Sequence, residues 1–245
     1  MELKENERID DLELNGLKII QNTEGFCFGM DSVLLSDFAK EIRNGATVLD
    51  LGTGTGILGI LLCEKTKLKE ITGIEIQKEV AEMAKRSIIL NNLQNKFNII
   101  NDNIKNLEKY FEVCSIDAIV TNPPYKKPNS GLINENRAKL ISRHEIEATL
   151  EDFIKTSAKL LKNSGEFYMV HRPERLTDII ELMRKYKLEP KKLKMISPNV
   201  DKEPNLILIK AVKNGKPFLK LEKNLYIYNE NGTYSNDILK IYGKE

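Results

Sequence analysis

The chain has 245 residues, of which 41% are hydrophobic and 30% charged, with a formal net charge of +2. That length accommodates one good-sized domain plus additions around a real core, and the composition excludes a disordered chain. No apolar run approaches the ~20 residues of a membrane span, the acidic N-terminus predicts no signal peptide, and the three cysteines (Cys27, Cys63, Cys114) contain no C-x-x-C, so they read as buried thiols of a reduced, cytoplasmic protein.

Residues 1–45 predict an N-terminal hairpin and helix packed on the core. Asn15-Gly16 sits between Asp-Leu-Glu-Leu and Leu-Lys-Ile-Ile, a strong short-range hairpin signal because both positions tolerate positive φ. An apolar clasp, Phe26 to Met30, follows. Asp31 is placed to N-cap a helix carrying Val33, Leu34, Leu35 and Phe38. Phe28 and Asp31 read equally as parts of a packed lid or as closing a ligand pocket.

Residues 46–214 predict the main domain. The run Thr47-Val48-Leu49-Asp50-Leu51 is a buried strand that enters a glycine loop, Gly52-Thr53-Gly54-Thr55-Gly56, and then a helix from Ile57 to about Glu64. Such a loop lets a ligand approach the backbone at a helix N-terminus. Gly54 to Gly59 also matches the dinucleotide G-x-G-x-x-G pattern, a weak signal on its own. Asp50 ahead of the first glycine disfavours a pyrophosphate and suits a cationic group, such as the amino-acid end of S-adenosylmethionine. A ligand-free tight turn is the plainer alternative.

Two further strands follow. Residues 70–75 end in Glu75, whose carboxylate suits two ribose hydroxyls, with Ile76 placed against a base; a helix spans 77–91. Residues 97–102 end in Asp102, an acceptor for an adenine amine, next to Asn103. Each acid alone reads as a surface charge or cap, but together, at successive strand ends, they define one crevice. A fourth strand, Asp117 to Thr121, stops at Asn122-Pro123-Pro124-Tyr125, where two prolines forbid continuation. The Asn122 side-chain carbonyl and the Pro123 backbone carbonyl are two neighbouring acceptors suited to a planar –NH2 group, and Tyr125 offers a flat face. A rigid turn with a local asparagine cap is the alternative.

Residues 126–148 form a polar loop with Lys126, Lys127, Arg137, Arg143 and His144, read as cations gripping RNA phosphates or as a solvated loop. A helix over 149–162, a strand over 166–170, a helix over 173–187 and a last, antiparallel strand over 206–209 complete the pattern. Arg184, Lys185, Lys187, Lys191, Lys192 and Lys194 read evenly as an RNA-backbone patch or as cations favoured at a helix C-terminus. Residues 215–245 predict a C-terminal extension, a short β-pair and a helix. Residues 1–125 hold 14 Lys and Arg against 20 Asp and Glu, whereas 126–245 hold 24 against 16, so an anionic partner docks on the second half. His144 and His171 are the only histidines, which disfavours a metal site.

The Asp50-x-Gly-x-Gly-x-Gly loop, Glu75, Asp102 and Asn122-Pro-Pro-Tyr125 resemble the class I S-adenosylmethionine-dependent methyltransferases that methylate amino groups. Phe26-x-Phe-Gly-x-Asp31, Ser142 to Glu145, Val170-His171-Arg172-Pro173, Glu203-Pro204-Asn205 and Tyr226-Ile227-Tyr228 extend the likeness to tRNA1(Val) adenine N6-methyltransferases, in a Gram-positive branch. The resemblance implies an α/β fold: a doubly wound, seven-stranded, mostly parallel sheet with the last strand antiparallel. It implies S-adenosylmethionine held by Phe28, Asp31, Asp50, Gly52, Thr53, Gly54, Gly56, Glu75, Ile76, Asp102, Asn103 and Asn122. It further implies catalysis at Asn122, Pro123, Pro124 and Tyr125, and an RNA substrate, tRNA above all, met by the loop cations, His144 and Arg172. A monomer without metal or membrane partner is expected. Protein-glutamine methyltransferases share Asn-Pro-Pro-Tyr but carry a helical domain before the glycine loop. DNA adenine methyltransferases usually add a target-recognition domain. A non-catalytic RNA-binding module with a relict cofactor site is the third rival, and the full set of acids argues against it.

Overall fold

The computed structural model describes residues 3–24, 29–125 and 148–244. Strands β1 (Glu7–Asp11) and β2 (Lys18–Asn22) form an antiparallel hairpin with Asp11 opposite Lys18. Its turn is the expected one, since Asn15 and Gly16 both take positive φ, 48° and 71°. Helix α1 (Met30–Phe38) follows, capped at Gly29 and not at Asp31, which lies in the first turn. The Asp31 carboxylate is directed to another partner, described below.

Strands β3 (Thr47–Leu51), β4 (Glu70–Glu75), β5 (Phe97–Asn101), β6 (Ile116–Thr121) and β7 (Leu161–His171) run parallel in the order β5-β4-β3-β6-β7. Helices α2 (Ile57–Lys65), α3 (Lys78–Leu90), α4 (Leu150–Leu160) and α5 (Leu176–Lys185) cover the sheet. Strand β9 (Leu206–Lys213) inserts antiparallel between β7 and β8 (Leu188–Ser197). The expected doubly wound sheet with an antiparallel last long strand is therefore present, with nine strands among the described residues where seven are expected. Its order reverses between β3 and β6, the place where such sheets hold ligands beyond the strand C-termini.

Alternation along the strands builds two cores. On β7, Tyr168 and Val170 face the layer of α1, α2 and α3, while Phe167 and Met169 face α4 and α5. Helix α2 is buried from Ile57 through Cys63, and such close seating needs Gly59, discussed below. Helix α4 begins with a capping box: Thr149 Oγ1 accepts from Asp152 N–H, and the Asp152 carboxylate accepts from Thr149 N–H.

Three expectations change. Strand β7 starts at Leu161, earlier than the pattern predicts, because Leu161 pairs with Ile116 across a register shift. In the C-terminal extension β10 (Lys220–Leu221) and β11 (Leu225–Tyr226) do not pair with each other but each add in parallel to the open edge of β8, before helix α6 (Asn236–Ile241). Cys63 is buried, and burial pushes its thiol up to about 11, but Cys114 is exposed. It occupies a turn with φ 59° ahead of β6, outside the sheet, with Lys213 Nζ 3.3 Å from its sulfur.

Candidate active site at the sheet's switch point

The C-terminal ends of β3, β4, β5 and β6 open into a cleft of about 1230 Å³. The glycine loop after β3 passes through positive φ at Gly52, Gly54 and Gly56 (72°, 58° and 88°), a path that side chains other than glycine resist. Gly52 and Thr53 N–H both donate to Ile74 O, fixing the loop to β4.

Asp50 lies under this loop, 1% exposed, and its carboxylate accepts from Thr53 Oγ1 at 2.6 Å. Burial pushes its carboxyl up to about 7, against the Thr53 hydrogen bond and helped by the nearby Glu75 charge. The unfolded chain loses this proton near pH 3.8 and the native protein near 7. Between those values the native state binds the extra proton, so its stability falls as pH rises and levels off above about 7. Relative to Asp50→Asn, wild type should lose several degrees of Tm from pH 4.5 to 8, at about 2–4 °C per kcal/mol for a chain of this size. Parallel Tm profiles for the two proteins would refute the assignment.

Glu75 ends β4 with its carboxylate 3% exposed, accepting from Gly54 N–H at 3.0 Å and Gln77 N–H at 2.9 Å. The two amides fix the carboxylate's orientation. Asn101 Nδ2 donates to Glu75 O and Ile76 O, tying β5 to the same strand end. Past β5, Asp102 accepts from Asn103 N–H, Asn106 Nδ2 and the Tyr110 hydroxyl at 2.6, 2.7 and 2.8 Å. The bonds from Asn106 and then Tyr110 hold its carboxyl below the usual range. Asn103 caps the following 3-10 turn (Ile104–Lys109) by accepting from Lys105 N–H.

Strand β6 delivers Asn122-Pro-Pro-Tyr125 to the same cleft. The Tyr125 hydroxyl lies 2.5 Å from Asp31 Oδ2 and 2.7 Å from Asn122 Oδ1. A phenol has one proton, and the shorter, charge-assisted contact to Asp31 takes the larger share. Asn122 Oδ1 thus keeps most of its accepting capacity, while its Nδ2 donates to Ser32 Oγ at 3.3 Å. Burial, then the Asp31 charge, raises the Tyr125 pKa, so the ring stays a neutral phenol. One surface of that ring meets the Arg172 guanidinium, 5.3 Å from the centroid, and the His171 ring packs against it at 5.2 Å. Burial and the Arg175 charge push His171 down to about 4, so it is neutral, and its Nδ1 accepts from Arg172 N–H.

The structure thus brings Asp31, Asp50, Gly52, Thr53, Gly54, Glu75, Ile76, Asp102, Asn103, Asn122, Pro123, Pro124, Tyr125 and Arg172 to one cleft, with Gly56 capping α2 behind it. Arg172 is bound into the site, donating to Asn205 O at 3.0 Å. Phe28, Lys126, Lys127, Arg137, Arg143 and His144 lie outside the described residues. Ser32, Phe153 and Arg175 also line the cleft and were not anticipated. Phe153 reads in sequence as an ordinary core position of α4, but its ring lies 3.5 Å from where a Cβ on Gly52 would sit. Ser32 carried only its place next to Asp31.

The basic patch on α5 and β8 is largely neutralised. Arg184 pairs with Glu189, Lys185 with Glu151, Lys192 with Glu41 and Glu222, and Lys194 with Glu222. Lys191 donates to two backbone carbonyls. Local ion pairs thus engage four of these six cations. Among the described residues no group of three or more His, Cys, Asp or Glu is arranged to hold a metal, and no helix is long and apolar enough to cross a membrane.

Comparison with known proteins fits this arrangement. Residues 30–186 match the model of the methyltransferase small domain family, well over half of the chain, and the chain belongs to that family of S-adenosylmethionine-dependent enzymes. Individual relatives carry more particular names. A tRNA1(Val) (adenine(37)-N6)-methyltransferase of Porphyromonas gingivalis is 31% identical over 74% of this chain and 72% of its own. One from Aliivibrio salmonicida is 25% identical over 89% of each chain. Among solved structures, a predicted O-methyltransferase of Agrobacterium tumefaciens shares the fold at TM-score 0.71 and 19% identity, over 88% of this chain and 96% of that one. Geranyl diphosphate C-methyltransferase of Streptomyces coelicolor, solved with S-adenosyl-L-homocysteine, shares it at TM-score 0.55 and 12% identity, over 74% and 80%.

Proposed function

We propose that this chain methylates the N6 amine of an adenine in tRNA, next to the anticodon, and does so in the cytoplasm. The observation that carries the reading is the Asn122-Pro-Pro-Tyr125 turn, set at the sheet's switch point beside three acidic strand ends, in a chain whose relatives are named for this reaction.

The donor set fits S-adenosylmethionine. Asp50 is a buried carboxylate that a cationic amino group would hold ionised. Glu75, oriented by two backbone amides, suits vicinal ribose hydroxyls. Ile76 and Asp102 flank the space for an adenine. When bound, the cofactor supplies an electrophilic methyl group on a sulfonium.

The chain's own residues then act on the target amine. That nitrogen's lone pair is delocalised into the purine ring. Asn122 Oδ1 and the Pro123 carbonyl accept hydrogen bonds from its two N–H groups, draw it toward tetrahedral geometry and localise the pair for in-line attack. With the cofactor held by Asp50, Glu75 and Asp102, the methyl it would supply would bond to this nitrogen as its bond to sulfur is given up, the bonding pair staying on sulfur. The amine, cationic after attack, releases a proton to water. No strong base is required, so a neutral His171 is no handicap. Positioning supplies most of the acceleration. The Asp31–Tyr125 bond holds the turn in place. The base has to leave any stack to reach this cleft, so an unpaired loop is the natural target.

The test is nucleoside mass spectrometry of total tRNA from a deletion strain, with purified protein and labelled S-adenosylmethionine added back. Loss and restoration of N6-methyladenosine in one tRNA is expected. Unchanged tRNA nucleosides would discard the tRNA assignment and leave other RNA, then protein glutamine, as the amine.

A further inference from the structure

A second aromatic feature lies outside the cleft, on the same side of the sheet. Tyr228 and Tyr234 form an isolated antiparallel bridge, and their rings stack at 5.4 Å and 12°. Tyr234 stacks in turn on Tyr242 of the C-terminal segment, at 6.4 Å and 21°. The hairpin that carries them is tightly bonded: Asn229 N–H donates to Thr233 O, Gly232 N–H to Asn229 O, and Thr233 N–H to the Asn231 side chain. It is anchored to the sheet through Ile227 N–H to Ser197 O and Tyr228 N–H to Pro198 O.

Topology places this hairpin. Strand β8 is antiparallel to β9, which is antiparallel to β7, so β8 points the same way as β6 and β7. Its C-terminal residue Ser197, where Tyr228 follows, therefore lies at the edge of the sheet that carries Asn122. Four strand steps, β6 to β7 to β9 to β8 to β11, and about five residues along the strands separate the two, about 25 Å at the spacings of a β-sheet. That distance is the span of about seven stacked nucleotides. Between them, Arg172 binds Asn205 O, at the far end of the loop that begins at Pro198.

Packing of α6 explains Tyr242 but leaves Tyr228 and Tyr234 39% and 42% exposed. Residues 226–239 contain no Lys or Arg and do contain Glu230 and Asp237. The hairpin is therefore unsuited to phosphates; what it offers is flat, neutral ring faces. Bases stack on such rings whatever their sequence, and aromatic faces are how unpaired RNA is held.

We propose that Tyr228, backed by Tyr234, is a stacking platform for unpaired bases of the RNA substrate, holding the strand that flanks the methylated nucleotide. This rests on the RNA reading above. The probes are an unmodified tRNA1(Val) transcript and its isolated anticodon stem-loop, each fluorescently labelled for anisotropy, with S-adenosylmethionine affinity measured separately by calorimetry. Tyr228→Ala should weaken RNA binding about 5- to 150-fold, the range of one lost base stack. Tyr228→Phe should stay within about twofold of wild type, because the ring face is kept. Tyr228→Leu, which keeps apolar packing without a π-face, should bind RNA as poorly as alanine with an unchanged Tm. Cofactor affinity and kcat at saturating RNA should stay at wild-type values in all three. RNA affinity of Tyr228→Ala or Tyr228→Leu equal to wild type would overturn the platform. A wild type that binds the transcript, weakened by Tyr228→Ala, but methylates nothing in it would support the platform and overturn the activity. A wild type with no measurable RNA affinity would overturn both.

Discussion

Replacing Asn122 by alanine should lower kcat for methyl transfer by about 10²–10³-fold, the usual loss when one preorganised hydrogen-bond partner of the reacting group is removed. The substitution takes away the acceptor that draws the target amine out of conjugation and leaves the Pro123 carbonyl alone. It removes only a 3.3 Å contact to Ser32 and a shared position on the Tyr125 hydroxyl, whose stronger partner is Asp31. Fold and RNA affinity should therefore survive. Single-turnover transfer from labelled S-adenosylmethionine to tRNA, with RNA binding measured in parallel, gives the answer. A rate within tenfold of wild type would mean that Asn122 is a turn residue and that the chemistry lies elsewhere.

The second large effect is on stability. Gly59, in the middle of α2, faces the Phe97 ring so closely that a Cβ would lie 2.3, 2.4 and 2.9 Å from its atoms. Gly59→Ala gains helix propensity of about 1 kcal/mol and incurs an overlap that a well-packed core relieves only by moving the ring or the helix. Overpacking typically costs about 1–3 kcal/mol, occasionally more, and the overlap here sits at the upper end. The net expectation is a Tm lower by about 4–8 °C. Phe97→Leu should recover part of the loss, so the double variant should be more stable than the two single effects predict, with a coupling of about 1 kcal/mol or more. A Gly59→Ala protein as stable as wild type, or strict additivity with Phe97→Leu, would show that the contact is loose.

Gly59 also shows what the sequence carried and what it did not. The glycine pattern placed a strand, a tight loop and a helix in order, because each depends on neighbours a few residues away. The same holds for the Asn15-Gly16 hairpin and for the acids that close β4 and follow β5. The long-range partners were hidden. Tyr125 meets Asp31, 94 residues earlier in the chain, and nothing near either residue announces it. Arg172 stands out in sequence only as a candidate RNA contact, and its place over Tyr125 and its bond to Asn205 O were not legible there. Phe153 beneath Gly52, the separate docking of β10 and β11 on β8, and the exposure of Cys114 all depend on how elements pack. Periodicity gives a side chain's face and leaves open what lies opposite.

The position of β9 has a consequence for how the chain reaches its native state. It is the last long strand to be synthesised, yet it fills an interior slot between β7 and β8. Until residues 206–213 emerge, β7 and β8 each present a bare edge on which another chain can pair. The parallel half of the sheet can gather earlier, but the outer edge of β7 remains unpaired. Every nascent chain therefore passes through an interval in which it is sticky, and that interval closes only when β9 arrives.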